Sequence, residues 1–191
     1  MPSDQKMLFF TPELYRRFNS RDQAEALAAD AEWEQAIARY GEHLAKFQEK
    51  LPSQVAKLSE LCLHDGEILL REEQQQPLDI WCFDDWPGPR FWPFWFGVAT
   101  LAVKLDDKVV TLFYFLCDHM AEQPAPQDWP FSNKREHWLY DELHWQQGNR
   151  GRFTHLILLS SGVVLSIPFS TVVITSIPIS PADAEGGKQS A

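Results

Sequence analysis

Apolar and polar positions change their spacing about one third of the way along the chain. Trp33, Ile37, Tyr40, Leu44, Phe47 and Leu51 recur at steps of four and three, the period of one helix face. They predict a helix of roughly thirty residues. Thr11-Pro12-Glu13 predicts a shorter helix ahead of it. A hydroxyl can cap the first amides, proline sits where no N–H is needed, and an acid lies near the positive end. Leu14, Tyr15 and Phe18 ride on that short helix. Ser20-Arg21-Asp22-Gln23 has the S-x-x-Q spacing of a capping box and marks the start of the long one. Pro52 ends or restarts it, and Val55, Leu58 and Leu61 predict a third, short helix.

After Leu63-His64-Asp65-Gly66 the period becomes that of strands. Strands are expected at 67–70, 78–83, 98–105, 109–117, 138–145, 153–160 and 163–169, with a further one at 171–177. Asp106-Asp107-Lys108 and Ser161-Gly162 fit tight hairpin turns, and 147–151 a looser one. Such short connections make neighbouring strands antiparallel. Two longer segments, 84–97 and 118–137, interrupt the meander. Residues 153–182 carry no charged side chain, long enough on paper to cross a bilayer. Ser160-Ser161-Gly162, Pro168, Pro178 and the many β-branched residues make them buried strands instead. The expected fold is α+β: N-terminal helices, one of them long, packed on an antiparallel, meander-like sheet or partly open barrel. The expected division is a helical segment over 1–62, a β body over 63–179 and a frayed polar tail over 180–191, one domain overall.

Composition narrows the function classes. Of 191 residues 45% are apolar and 23% charged, enough to bury a sizeable core. Seventeen basic against 27 acidic residues give a net charge of -10, spread evenly over both halves. This argues against a nucleic-acid binder and against an anionic-membrane binder. Cys62, Cys82 and Cys117 form no C-x-x-C pair, and the apolar run Met7 to Phe10 is too short for a secretory signal. The expected setting is cytoplasmic. No Walker or G-x-G-x-x-G loop and no G-x-S-x-G elbow occurs, and neither a cofactor nor a metal is called for.

Three groups could carry chemistry. His64-Asp65 could supply adjacent metal ligands, though a plain turn explains them as well: Gly66 allowing the turn, Asp65 bonding its own backbone, His64 packing beside the helix end. On β-strand geometry Glu142 and His144 share one face and Asp141 lies on the other. A carboxylate and an imidazole two apart can hold a metal or pair as base and orienter, but a third ligand must come from elsewhere, such as His64 or Asp65. The third group is aromatic. Trp86, Arg90, Phe91, Trp92, Phe94 and Trp95 lie in a proline-stiffened segment, the composition of a binding hot spot. The same residues could instead fold back as a lid. The loop with Pro124, Pro126, Trp129, Pro130 and Phe131 repeats the style.

Thr11-Pro12-Glu13-Leu14-Tyr15, Trp33-Glu34, Leu51-Pro52, Leu63-His64-Asp65, Trp138-Leu139-Tyr140-Asp141-Glu142 and Ile167-Pro168-Phe169 occur in an order that resembles a bacterial family of unknown function. The start of the β body is also similar, more loosely, to small immunity proteins of bacterial toxin systems. The family resemblance brings no activity and no catalytic residue. The reading favoured by the residues is a non-enzymatic, immunity-like protein-binding module, its acidity suited to a basic partner. Two others stay open: a small metal-dependent hydrolase using His64, Asp65, Asp141, Glu142 and His144, and a barrel holding an apolar ligand. Oligomeric state is not set by the sequence.

Overall fold

The structure, a computed structural model, describes residues 5–74, 97–131, 134–145 and 151–179. Among these residues three α-helices precede seven strands: α1 (Pro12–Phe18), α2 (Gln23–Ala45), α3 (Ser53–Ser59), β1 (Glu67–Gln74), β2 (Gly97–Lys104), β3 (Lys108–Leu116), β4 (Ala121–Gln123), β5 (Trp138–Trp145), β6 (Phe153–Leu159) and β7 (Val164–Pro178). The strands form one antiparallel sheet in the order β1-β2-β3-β7-β6-β5, with β4 paired to β7, curled into a half-barrel. The α+β architecture is the one expected.

Helix α1 starts as its sequence predicts, with the Thr11 hydroxyl accepting from the Leu14 amide. At α2 the capping box gives way to a different cap. Asp22 accepts from the amides of Ala24 and Glu25, while the Ser20 hydroxyl turns to the Glu25 carboxylate at 2.6 Å. An ionised carboxylate is the stronger acceptor for first-turn amides. The helix is 23 residues long, shorter than the spacing predicts. Phe47 leaves it and a 3-10 turn over Gln48–Lys50 carries the chain to α3. Its buried stripe is Ala29, Trp33 and Ala36, with Ile37 exposed: the small alanine sits at the sheet and the larger side chain one position on faces out. Trp33 and Phe47 are both buried within their own chain, so the long helix covers its own sheet.

Strand β7 explains the shape. The sequence suggests two strands across Pro168 and Ser170, but the chain runs as one of 15 residues. Its first half pairs with β6 on one edge and β4 on the other, and its second half pairs with β3. The register shifts where Phe115 and Leu116 face Thr171 and Phe169, a bulge that bends the strand from one half-sheet into the next. Pro168, which cannot donate, lies just before that bend, and its carbonyl accepts from the Cys117 amide at 2.9 Å.

Two cores lie on the two faces. Inside the curl, Leu101, Leu112, Tyr114, Leu116, Trp138, Ile157 and Phe169 pack with Phe47, Val55, Leu58 and Leu63. Outside β5 and β6, Leu156, Leu158 and Val164 meet Met7, Phe10, Leu14, Ala29, Trp33 and Ala36. Strand β6 is therefore buried at every position, which accounts for its lack of charge. The half-barrel is pinned at one end by backbone bonds between the chain entering β1 and the chain entering β5: Asp65 N–H to Trp138 O, Trp138 N–H to Gly66 O and Ile68 N–H to Glu136 O, each 2.8 Å.

Several expected elements differ in extent. β1 runs to Gln74 rather than residue 70, and β4 lies in the segment expected to be loop. The strand expected at 78–83 and most of the turn at 147–151 lie outside the described residues.

Candidate functional site

Strand β5 carries the densest polar chemistry, and its two faces do different things. On the outer face the Glu142 side chain is fully buried. Its carboxylate accepts from three successive backbone amides of the N-terminal segment: Leu8 at 2.9 Å, Phe9 at 2.6 Å and Phe10 at 2.7 Å. His144 Nε2–H donates to its other side at 2.9 Å. A buried carboxylate needs this full set of donors, because an unpaired one would lose its hydration with nothing in return. His43 of α2 lies against His144, ring centroids 5.0 Å apart. Burial, followed by the neighbouring His144, lowers the His43 pKa. Tyr40, one helical turn earlier, accepts from the Leu143 amide at 2.8 Å and so covers the free edge of β5. Burial, then the nearby Asp141, raises the pKa of its phenol well above the usual tyrosine value.

On the inner face Asp141 accepts from Trp138 Nε1–H at 2.9 Å and from His155 Nε2–H at 3.0 Å. The Tyr114 hydroxyl lies 2.8 Å from His155 Nδ1. In the neutral ring, Nε2–H committed to the carboxylate leaves Nδ1 to accept from the Tyr114 hydroxyl. Tyr114 is wholly buried, and burial holds its pKa far above the ordinary tyrosine value. The hydroxyl end of this Tyr–His–Asp chain is thus closed to solvent, and the chain joins β3, β6 and β5 across the inner core.

His64 and Asp65 sit in the turn before β1. His64 Nδ1–H donates to the Leu139 carbonyl, its ring lies 4.7 Å from that of Tyr140, and Nε2 is 3.4 Å from Asp65 Oδ2. The turn works otherwise than its sequence suggests. Asp65, not Gly66, takes the left-handed conformation, with φ 63°. Its amide donates to the Trp138 carbonyl rather than into a local turn. Gly66 is needed for space: a Cβ there would lie 2.4 Å from Val103 Cγ1. At the same mouth a cleft of about 330 Å³ is lined by Asp65, Glu67, Lys104, Asp106 and His137. Arg135 pairs with Glu67 at 3.0 Å.

The five residues proposed for a metal-dependent hydrolase thus divide among three places: Glu142 and His144 beneath the N-terminal segment, Asp141 on the opposite face of β5, His64 and Asp65 at the barrel mouth. The convergence that reading requires does not occur. Among the described residues no group of three His, Cys, Asp or Glu side chains is arranged to hold a metal ion. Trp86, Arg90, Phe91, Trp92, Phe94 and Trp95 lie outside the described residues. Of the second aromatic loop, Trp129 is folded in. Its Nε1–H donates to the Ser160 carbonyl at 3.0 Å, and its ring stacks on Tyr15 at 5.8 Å. His155 and Tyr114 were not singled out by their sequence. The available signal was a lone histidine inside an otherwise apolar strand, a residue that must find partners once buried. Among the described residues no helix is long and apolar enough to cross a membrane. Comparison with protein-family models, with curated proteins and with solved structures finds no match.

Proposed function

We propose that the protein is a non-enzymatic, cytoplasmic protein-binding module, immunity-like in style, that takes a basic partner. The observation that carries the reading is the division of its polar groups. The buried Glu142, His144 and His155 and the half-buried Asp141 are each committed to hydrogen bonds that hold strands and the N-terminal segment in place. The exposed acids Asp65 and Asp106, by contrast, stand at a cleft open to a cationic side chain. A chain with net charge -10 adds long-range attraction to that local complementarity. The aromatic segment with Trp92 and Trp95 supplies the residue types that anchor such contacts.

The test is capture from a lysate of the source organism with wild type, Trp92→Ala/Trp95→Ala and Asp65→Lys/Asp106→Lys as baits. The expected result is one basic protein retained by wild type and lost by either folded variant, with retention falling as salt rises. No salt-sensitive partner, or one held equally by all three baits, overturns the reading.

A further inference from the structure

Asp65 lines the cleft at the barrel mouth, and it also belongs to a second group that the cleft does not include: His64, Tyr140 of β5 and Tyr15 of α1. His64 shows what this group lacks. A backbone carbonyl can only accept, so the bond from His64 Nδ1 to the Leu139 oxygen takes the ring's proton. In the neutral ring Nε2 is then a bare acceptor, and it lies 3.4 Å from Asp65 Oδ2, a second acceptor. That separation exceeds the ~2.7–2.9 Å of a charge-assisted hydrogen bond. Two lone-pair atoms thus lie side by side with no donor between them. Both are held from behind: the Tyr140 ring lies 4.7 Å from the His64 ring, and the Asp65 amide is tied to the Trp138 carbonyl at 2.8 Å. The phenols extend the pattern. Tyr15 and Tyr140 are half-buried, their rings 6.0 Å apart, and neither hydroxyl has a hydrogen-bond partner among the described residues. Burial, then the Asp65 carboxylate, raises the pKa of Tyr15; burial, then Tyr15 and Asp65, raises that of Tyr140. Both phenols therefore stay neutral within reach of the carboxylate.

We propose that His64, Asp65, Tyr15 and Tyr140 form a subsite for one arginine side chain, supplied by the basic partner. The proposal rests on the binding reading above and narrows it from a charge to a side chain. Three features select a guanidinium. The first is charge. Among the described residues the one ion-pair neighbour of Asp65 is His64, while Arg16 and Arg135 are paired with Asp128 and Glu67. A cation for the Asp65 carboxylate must therefore come from outside these residues. The second is spacing. Two parallel N–H bonds of one planar fork reach acceptors as close together as His64 Nε2 and Asp65 Oδ2, whereas the N–H bonds of an ammonium diverge. The third is the company of rings. Tyrosines beside a carboxylate favour the weakly hydrated, stackable guanidinium, by cation–π attraction and through their hydroxyl oxygens. A metal ion fits less well, because among the described residues no third His, Cys, Asp or Glu completes a site.

Nuclear magnetic resonance titration of the full chain at about pH 8, where imidazole is ordinarily neutral, tests it. The probe is Nα-acetyl-arginine amide; the controls are the lysine amide and the citrulline amide, which keeps the shape of arginine without its charge. Arginine is expected to shift the signals of Asp65, Tyr140 and His64 Nε2 with a Kd on the order of 1–10 mM. Lysine is expected to bind about three- to tenfold more weakly, and citrulline more than about tenfold. Asp65→Asn, which tolerates the positive φ, should weaken arginine binding by about tenfold or more. The Tyr15→Phe/Tyr140→Phe pair keeps both rings and should weaken it by about two- to fivefold; if Asp65→Asn does not fold, this pair decides. No saturable shift at these residues overturns the proposal. So does lysine or citrulline binding as tightly as arginine, a folded Asp65→Asn that binds like wild type, or a proton already on His64 Nε2 at that pH. If lysate capture yields a basic partner while arginine leaves these residues unmoved, the subsite falls and the binding reading stands. If arginine binds and no basic partner is captured, the binding reading falls, and with it the partner as the source of the arginine.

Discussion

Replacing Glu142 by alanine should release the N-terminal segment from the body. The carboxylate is the sole acceptor described for the amides of Leu8, Phe9 and Phe10 and the partner of His144. Leu8 is 59% exposed, so its amide recovers water at little cost. The Phe10 bond is buried and the Phe9 bond partly so, and each donor left unsatisfied costs about 1–3 kcal/mol. Adding the stranded His144 gives about 3–5 kcal/mol, a large share of the roughly 5–15 kcal/mol that holds a domain folded. If the segment detaches, the burial of Met7 and Phe10, at 5% and 6% exposure, is lost with it. Glu142→Gln keeps the shape and one acceptor oxygen and should cost less, about 1–3 kcal/mol. Urea unfolding gives the two differences, and hydrogen exchange at residues 8–10 locates them. Losses under about 1 kcal/mol for Glu142→Ala, or unchanged protection of those amides, would refute the account of Glu142 as the anchor.

Three further outcomes follow from the same structure. Gly162→Ala should destabilise by about 1–3 kcal/mol in thermal or urea unfolding: Gly162 has φ +83°, and a Cβ would lie 2.5 Å from the Trp129 ring. Tyr114→Phe should cost about 1–3 kcal/mol, because His155 Nδ1 loses its buried donor; the double variant with His155→Leu should lose less than the sum. The pKa of His43 is lowered on folding, so the unfolded chain binds its proton first. The stability His43 contributes is therefore full above its ordinary value of 6.5 and is lost as pH falls through its lower folded value. A His43→Gln variant should flatten that part of the urea midpoint–pH curve.

How far the chain could be read from its sequence depended on where each signal resides. Strand β5 was legible to the residue, because the aromatic- and leucine-bearing run Trp138 to Trp145 lies between two segments that read as loops. Its division of faces, Asp141 against Glu142 and His144, followed from strand geometry alone. The end of α2 was not legible. Phe47 and Leu51 continue the helical spacing but reach the inner core through a 3-10 turn, so periodicity persisted where the helix did not. Strand β7 read as two because proline is an interruption in most strands; here it lies beside a bulge that bends the strand without ending it. The setting of Glu142 was hidden for a deeper reason. Its donors are backbone amides, which every residue but proline possesses, so Leu8-Phe9-Phe10 carries no mark of its task. Gly66 illustrates the converse: its presence was informative, but the cause was the proximity of Val103 on another strand rather than its own dihedral angles.

The anchoring of the N-terminal segment also orders events in time. Phe10 leaves the ribosome early, while Glu142 is made 132 residues later. At about 5–20 residues per second that is a delay of roughly 7–26 seconds. Met7, Phe9 and Phe10 must wait through it without their native partner, on a chain that also has to close β1 against the residues before β5. Such distant pairings make folding slow and leave apolar surface uncovered meanwhile. The demand for chaperone protection should therefore peak late in synthesis, and should fall when β5 and β6 have both emerged to receive the waiting segment.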